Sequence, residues 1–193
     1  MDIRNYSRVY RIMHWTMAIC LLLILLTIFL RLTWLNKNNV AAILAEQLAA
    51  RDVSLPQDEL ISIAKKIRKP MWDWHIYLGY VFTGLYVLRF LLPLWDEMKL
   101  NNPFAKNLSA ETKFRFWVYL VFYVCLAVSL ITGLLIEFGP KAYKKPIESV
   151  HVLSIYYLVA FMVIHLAGVL RAEFTGRGGI VSSVISGTRK KEG

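Results

Sequence analysis

The chain has 193 residues, a net charge of +10, 57% apolar residues and a mean hydropathy of +0.48, against roughly 45–50% apolar in an average soluble domain. This balance excludes a disordered or collagen-like chain and strains a soluble fold, because so much apolar side chain outgrows the interior of one small domain. The basic residues flank apolar runs rather than forming one aromatic-studded patch, which points to anionic lipid headgroups and away from nucleic acid, and Cys20 and Cys125, each inside an apolar run and outside any CxxC motif, encode no disulfide framework.

In chain order, residues 12–30 are 19 uncharged positions between Arg11 and Arg31, close to the roughly 20 that cross a bilayer core. This is a first span, about 12–35, too long for the apolar part of a signal peptide and followed by no small-residue cleavage pattern. Residues 74–95 form a second span with Arg89 as its formal charge and Trp74 and Trp95 at its ends, where amphipathic rings favour the interface. Residues 116–136 and 149–170 give spans three and four. The loop 36–73 between the first two spans carries helix formers, a helix start at Ser54 and Pro56, and an apolar stripe of Leu60, Ile61, Ile63, Ala64 and Ile67, which predicts a short interfacial helix or docking surface.

The expected fold class is therefore all-α, an integral membrane four-helix bundle formed as one domain over 1–193. Lys and Arg near the span ends count twelve on the side of the termini against nine on the other, which places both termini in the cytoplasm.

The four histidines, His14, His75, His151 and His165, each lie at an end of a span. Following the chain back and forth groups them as His14 with His165 near the inner surface and His75 with His151 near the outer one. The 14-residue step from His151 to His165 returns to one helix face about 21 Å further along. Ionisable residues inside a membrane are costly and usually face a partner. Opposed imidazoles from different helices suit the two axial positions of a b-type haem, and the expected metal ligands are all four histidines.

Gly79, four residues after His75, and Gly168, three after His165, leave room on the ligand's own face for a flat macrocycle. Arg89, 14 residues after His75, lies at the depth of the inner pair and can neutralise a propionate. Arg31 is turned off the face of His14 and reads as a headgroup anchor. Zinc, di-iron and proton-relay sites fit less well, because the spans hold no carboxylate between their flanking charges.

With these residues in place, YSRVYRIMHW with Arg8 and His14, HIYLG followed by Arg89, the His151 to His165 spacing and the tail from Leu170 to Lys190 resemble a bacterial dihaem b-type cytochrome family. That family includes the cytochrome b subunits of nickel-iron hydrogenases and the superoxide oxidase cytochrome. The resemblance covers all four spans, and the tail is similar to the hydrogenase subunits in particular. It implies two non-covalent haems b in a multi-pass protein of the bacterial inner membrane, carrying electrons between quinone and a redox partner. The superoxide oxidase branch carries further histidines and basic residues near its outer haem, where this chain has His75 and His151 with Lys141, Lys144 and Lys145.

The leading reading is an electron-transfer subunit of a respiratory chain without a catalytic residue of its own. A periplasmic redox protein or hydrogenase-like subunits supply electrons, and quinone accepts them, with Ser182 and Ser183 as hydrogen-bond donors to quinone. The alternatives are a self-contained quinone-dependent oxidoreductase of the superoxide oxidase type and a haem-free membrane anchor.

Overall fold

A computed structural model describes residues 6–95, 97–99, 102–175 and 180–187, and these form helices and turns with no strand among the described residues. The helices are α1 (Arg8–Leu32), α2 (Lys37–Ala49), α3 (Gln57–Ile67), α4 (Lys69–Leu91), α5 (Ala110–Phe138), α6 (Lys144–Val152), α7 (Ser154–Phe174) and α8 (Ile180–Ser186). Four stretches are long and apolar enough to cross a membrane: Arg8–Leu32, Lys69–Trp95, Ala110–Phe138 and Lys141–Phe174. The protein is an all-helical membrane protein.

Local chemistry sets the helix ends. The Ser7 hydroxyl accepts from the Tyr10 backbone N–H at the start of α1, and Ser109 accepts from Thr112 N–H at the start of α5, each satisfying a donor that the helix cannot. Pro93 cannot continue the α-helical ladder, and α4 passes into a 3₁₀ turn over Leu92–Trp95. Along α5, Phe114, Trp117, Val121, Val124, Val128, Ile131, Leu135 and Phe138 are all exposed. This apolar stripe, repeating every seven residues, suits a helix whose outer face meets lipid rather than water.

Two compact units are defined by backbone proximity: Thr16–Leu85, and Met1–Trp15 together with Tyr86–Gly193. In the first, Cys20, Leu21, Ile24 and Leu25 of α1 and Phe82 of α4 are buried, and the Cys20 thiol donates to the Leu78 carbonyl at 3.6 Å. The loop between the first two spans folds as a helical hairpin. Asn36 caps α2 through the Asn38 N–H, and Ala41, Leu60 and Ala64 form a small core of their own, flanked by Val40, Leu44, Ala45, Leu48, Leu55 and Ile61. Leu60 and Ala64 of the expected stripe are thus turned onto α2, while Ile67 stays half exposed.

In the second unit, α5 packs on α6 and α7. Phe122 stacks on Phe161 with ring centres 3.6 Å apart, the buried hydroxyls of Ser129 and Ser154 lie 2.7 Å apart, and the Tyr157 hydroxyl donates to the Cys125 carbonyl at 2.8 Å. Residues 149–170 are not one uninterrupted helix. Leu153 separates α6 from α7, its N–H donating to the Val150 carbonyl and its carbonyl accepting from Tyr156 N–H, both at 3.1 Å. The Ser154 hydroxyl donates to the His151 carbonyl, the kind of side-chain back-bond that bends helices. The unbroken 100° step from His151 to His165 that the spacing assumed is therefore interrupted two residues after His151.

Candidate cofactor site

His14 on α1 and His165 on α7 come together in one unit, with ring centres 6.2 Å apart and planes inclined by 45°. Metal–nitrogen bonds of roughly 2.0–2.1 Å on opposite sides of one ion place two imidazole centres about 6 Å apart. Aromatic neighbours hold both rings. Tyr10, one turn before His14, lies nearly parallel to it, and Phe161, one turn before His165, stacks on that ring at 5.6 Å. The Tyr119 hydroxyl stands 3.4 Å from Nδ1 of His165.

Arg89 on α4 is 6% exposed. Its Nε donates to the Tyr123 hydroxyl oxygen at 3.2 Å, and the guanidinium lies over the Tyr123 ring. The buried Nη1 has no hydrogen-bond partner among the described residues. An unmatched buried donor on a cation is expensive, so this group fits an anionic ligand. Tyr123 is held in turn, its carbonyl accepting from the Tyr86 hydroxyl at 3.0 Å.

His151, at the end of α6, has Nδ1 at 3.0 Å from the Ser129 carbonyl and 3.1 Å from the Thr132 hydroxyl. Thr132 donates its hydrogen back to the carbonyls of Val128 and Ser129. A hydroxyl has one hydrogen to give, so the Thr132 oxygen and the Ser129 carbonyl both accept from Nδ1–H, and Nε2 is the nitrogen of this tautomer suited to a metal. Gly133 completes this arrangement, because a Cβ there would stand 3.1 Å from Cε1 of His151.

His75, in the Thr16–Leu85 unit, repeats the device. Thr27 is buried, donates to the Ile24 carbonyl at 2.6 Å and so accepts from Nδ1–H of His75 at 2.8 Å. Trp72 stacks on the His75 ring with centres 4.4 Å apart and planes 6° apart. A Cβ added at Gly79 or at Gly168 would meet no atom within 4 Å, leaving both backbones open to a flat group. Among the described residues no three His, Cys, Asp or Glu side chains converge as a metal cluster.

The C-terminal segment is tied to α1. Arg11 donates to the Ile185 carbonyl at 3.0 Å and Trp15 Nε1 to the Val184 carbonyl at 3.2 Å, satisfying carbonyls that the last turn of α8 leaves open. Ser183 is buried in this segment and Ser182 is half-buried.

The histidines, Arg89, Gly79 and Gly168 stand out by their spacing in the sequence. Thr27, Ser129, Thr132, Gly133, Tyr119 and Tyr123 do not, their one sequence signal being hydroxyl groups and a glycine inside apolar runs.

Within one unit, the facing imidazoles of His14 and His165, the buried Arg89 guanidinium and the open backbone at Gly168 fit a porphyrin with carboxylate substituents. They describe a helical membrane protein of the haem-binding class. The chain belongs to the prokaryotic cytochrome b561 family, which matches residues 5–187. It is accordingly a membrane b-type cytochrome that works in electron transfer and uses b-type haem. Comparison with curated proteins and with solved structures finds no match.

Proposed function

We propose that this cytochrome is an electron-transfer subunit of a bacterial inner-membrane respiratory chain, passing electrons between a periplasmic redox partner and the quinone pool through two non-covalent haems b. The observation that carries the reading is the facing of His14 and His165 at 6.2 Å in the unit that also holds the buried Nη1 of Arg89, which has no hydrogen-bond partner among the described residues. His14 and His165 would hold one haem through their imidazoles. Tyr119 would accept from Nδ1–H of His165 and leave Nε2 for the metal, Arg89 would neutralise a propionate, and Gly168 would leave room for the ring.

For the second haem the sequence spacing assigns His75 and His151 as ligands, with Gly79 beside His75. Each of these imidazoles is kept in the Nδ1–H tautomer by acceptors within its own unit. When bound, haem supplies the one-electron chemistry, and two imidazoles filling both axial positions favour electron transfer over oxygen binding. The polypeptide makes no bond to a substrate: it fixes spacing, ligation and charge. Ser182 and Ser183 supply donors to the quinone carbonyls, and hydrogenase-like subunits are the partner class that the tail favours.

The test is a reduced-minus-oxidised visible spectrum with haem quantitation on the purified protein, on His75→Ala and on His165→Ala. The expected result is two haems in the parent, with a different low-spin signal lost in each variant. A colourless parent, or one haem untouched by both substitutions, overturns the paired ligation. Superoxide oxidation by the isolated chain overturns the subunit reading in favour of a stand-alone oxidoreductase.

A further inference from the structure

At one end of the Thr16–Leu85 unit, Arg31, Lys65, Arg68, Lys69, Met71 and Trp72 line an open cleft of about 160 Å³. Arg31 lies in the last turn of α1, and Lys69, Met71 and Trp72 open α4. Both helices are membrane spans, so the cleft sits where the chain leaves the apolar layer, at headgroup depth. The Arg31 guanidinium carbon lies 3.9 Å over the Trp72 ring, which fixes the cation against an aromatic wall. Lys69 pairs with Asp73 at 2.7 Å, the two side chains being 69% and 35% exposed, which leaves Arg31, Lys65 and Arg68 as the cleft's net charge.

Four cations against the single carboxylate of Asp73 leave a positive surplus that attracts an anion to the cleft. We propose that the cleft binds the phosphodiester headgroup of an anionic phospholipid. The planar forks of Arg31 and Arg68 match phosphate oxygens in pairs, while Lys65 and Lys69 add compact charge. Met71 and the edge of the Trp72 indole, whose faces meet His75 and Arg31, give the cleft an apolar wall beside the glycerol and first acyl carbons, and an indole at this depth is at home in the interface. A free phosphate shares the headgroup chemistry but has nothing to place against that wall. The proposal does not rest on the haem reading, although Trp72 also stacks on His75.

The test uses the full chain in neutral detergent, with dioctanoyl phosphatidylglycerol, dioctanoyl phosphatidylcholine and inorganic phosphate as probes, read by native mass spectrometry and thermal unfolding. Phosphatidylglycerol is expected to bind and raise the unfolding temperature, and the other two to do neither. The double variant Lys65→Gln with Arg68→Gln should weaken phosphatidylglycerol binding roughly tenfold or more, given about 1 kcal/mol for each cation near an anionic headgroup. Removing two exposed charges elsewhere, with Lys141→Gln and Lys144→Gln, should leave binding unchanged. If the double variant aggregates, Lys65→Gln alone, an exposed position, carries the same comparison with a smaller drop.

Equal protection by inorganic phosphate assigns the cleft to a free anion and overturns the lipid proposal, as does equal protection by phosphatidylcholine. Unaltered phosphatidylglycerol binding in the cleft variants also overturns it. Loss of haem in place of lipid from those variants assigns the cleft to a propionate and sinks the proposal while leaving the cytochrome reading intact.

Discussion

A threonine hydroxyl in an apolar helix ordinarily returns its hydrogen to a carbonyl three or four residues back. At Thr27 and Thr132 that habit acquires a use, because the oxygen left over accepts from an imidazole and fixes its tautomer. The histidines and Arg89 drew attention in the sequence because groups that are costly in lipid stand out among leucines. The threonines did not, since back-bonding is reason enough for a hydroxyl in a span, and Gly133 was hidden because a glycine in a span needs no ligand to explain it. Arg89 is the residue where a single change separates charge from packing. On the proposed pairing with a propionate, Arg89→Gln removes a positive charge that favours the reduced haem, so potentiometric titration should find one midpoint lowered, on the order of 60 mV for a tenfold change in the one-electron equilibrium. Arg89→Lys should recover most of that shift.

The hairpin of α2 and α3 carries its own apolar centre, in which Ala41 and Ala64 are fully buried and Leu60 is 3% exposed. Its amphipathic pattern was readable in the loop sequence, but its partner was not: Leu60 and Ala64 close onto α2 in a core of their own. Leu60→Ala should cost the hairpin about 2–5 kcal/mol. Hydrogen exchange should then rise over 37–67 while the amides of α5 and α7 keep their protection. The break at Leu153 was invisible for a different reason. VHVLSIYY contains no proline or glycine, and the interruption coincides with the hydroxyl of Ser154 turning back to the His151 carbonyl while meeting Ser129. Tertiary partners of that kind leave no local mark.

At the scale of the whole molecule, the four spans followed from hydropathy and length, because the bilayer sets both. The two compact units did not, since their limits fall inside α1 and α4, where composition does not change. The charge count predicts a sidedness that is open to direct measurement. Reporter fusions that are active only in the cytoplasm should work at either terminus and fail when inserted into 36–73 or 137–148. A reporter active in 36–73 reverses the orientation.

The clasp of Arg11 and Trp15 on the carbonyls of Ile185 and Val184 joins residues 174 and 169 positions apart. A ribosome adding roughly 5–20 residues per second has the first span in the bilayer many seconds before the end of α8 exists. The surroundings of His14 therefore stay incomplete until late in synthesis, and the pair of His14 and His165 reaches its final enclosure only after translation has passed residue 185.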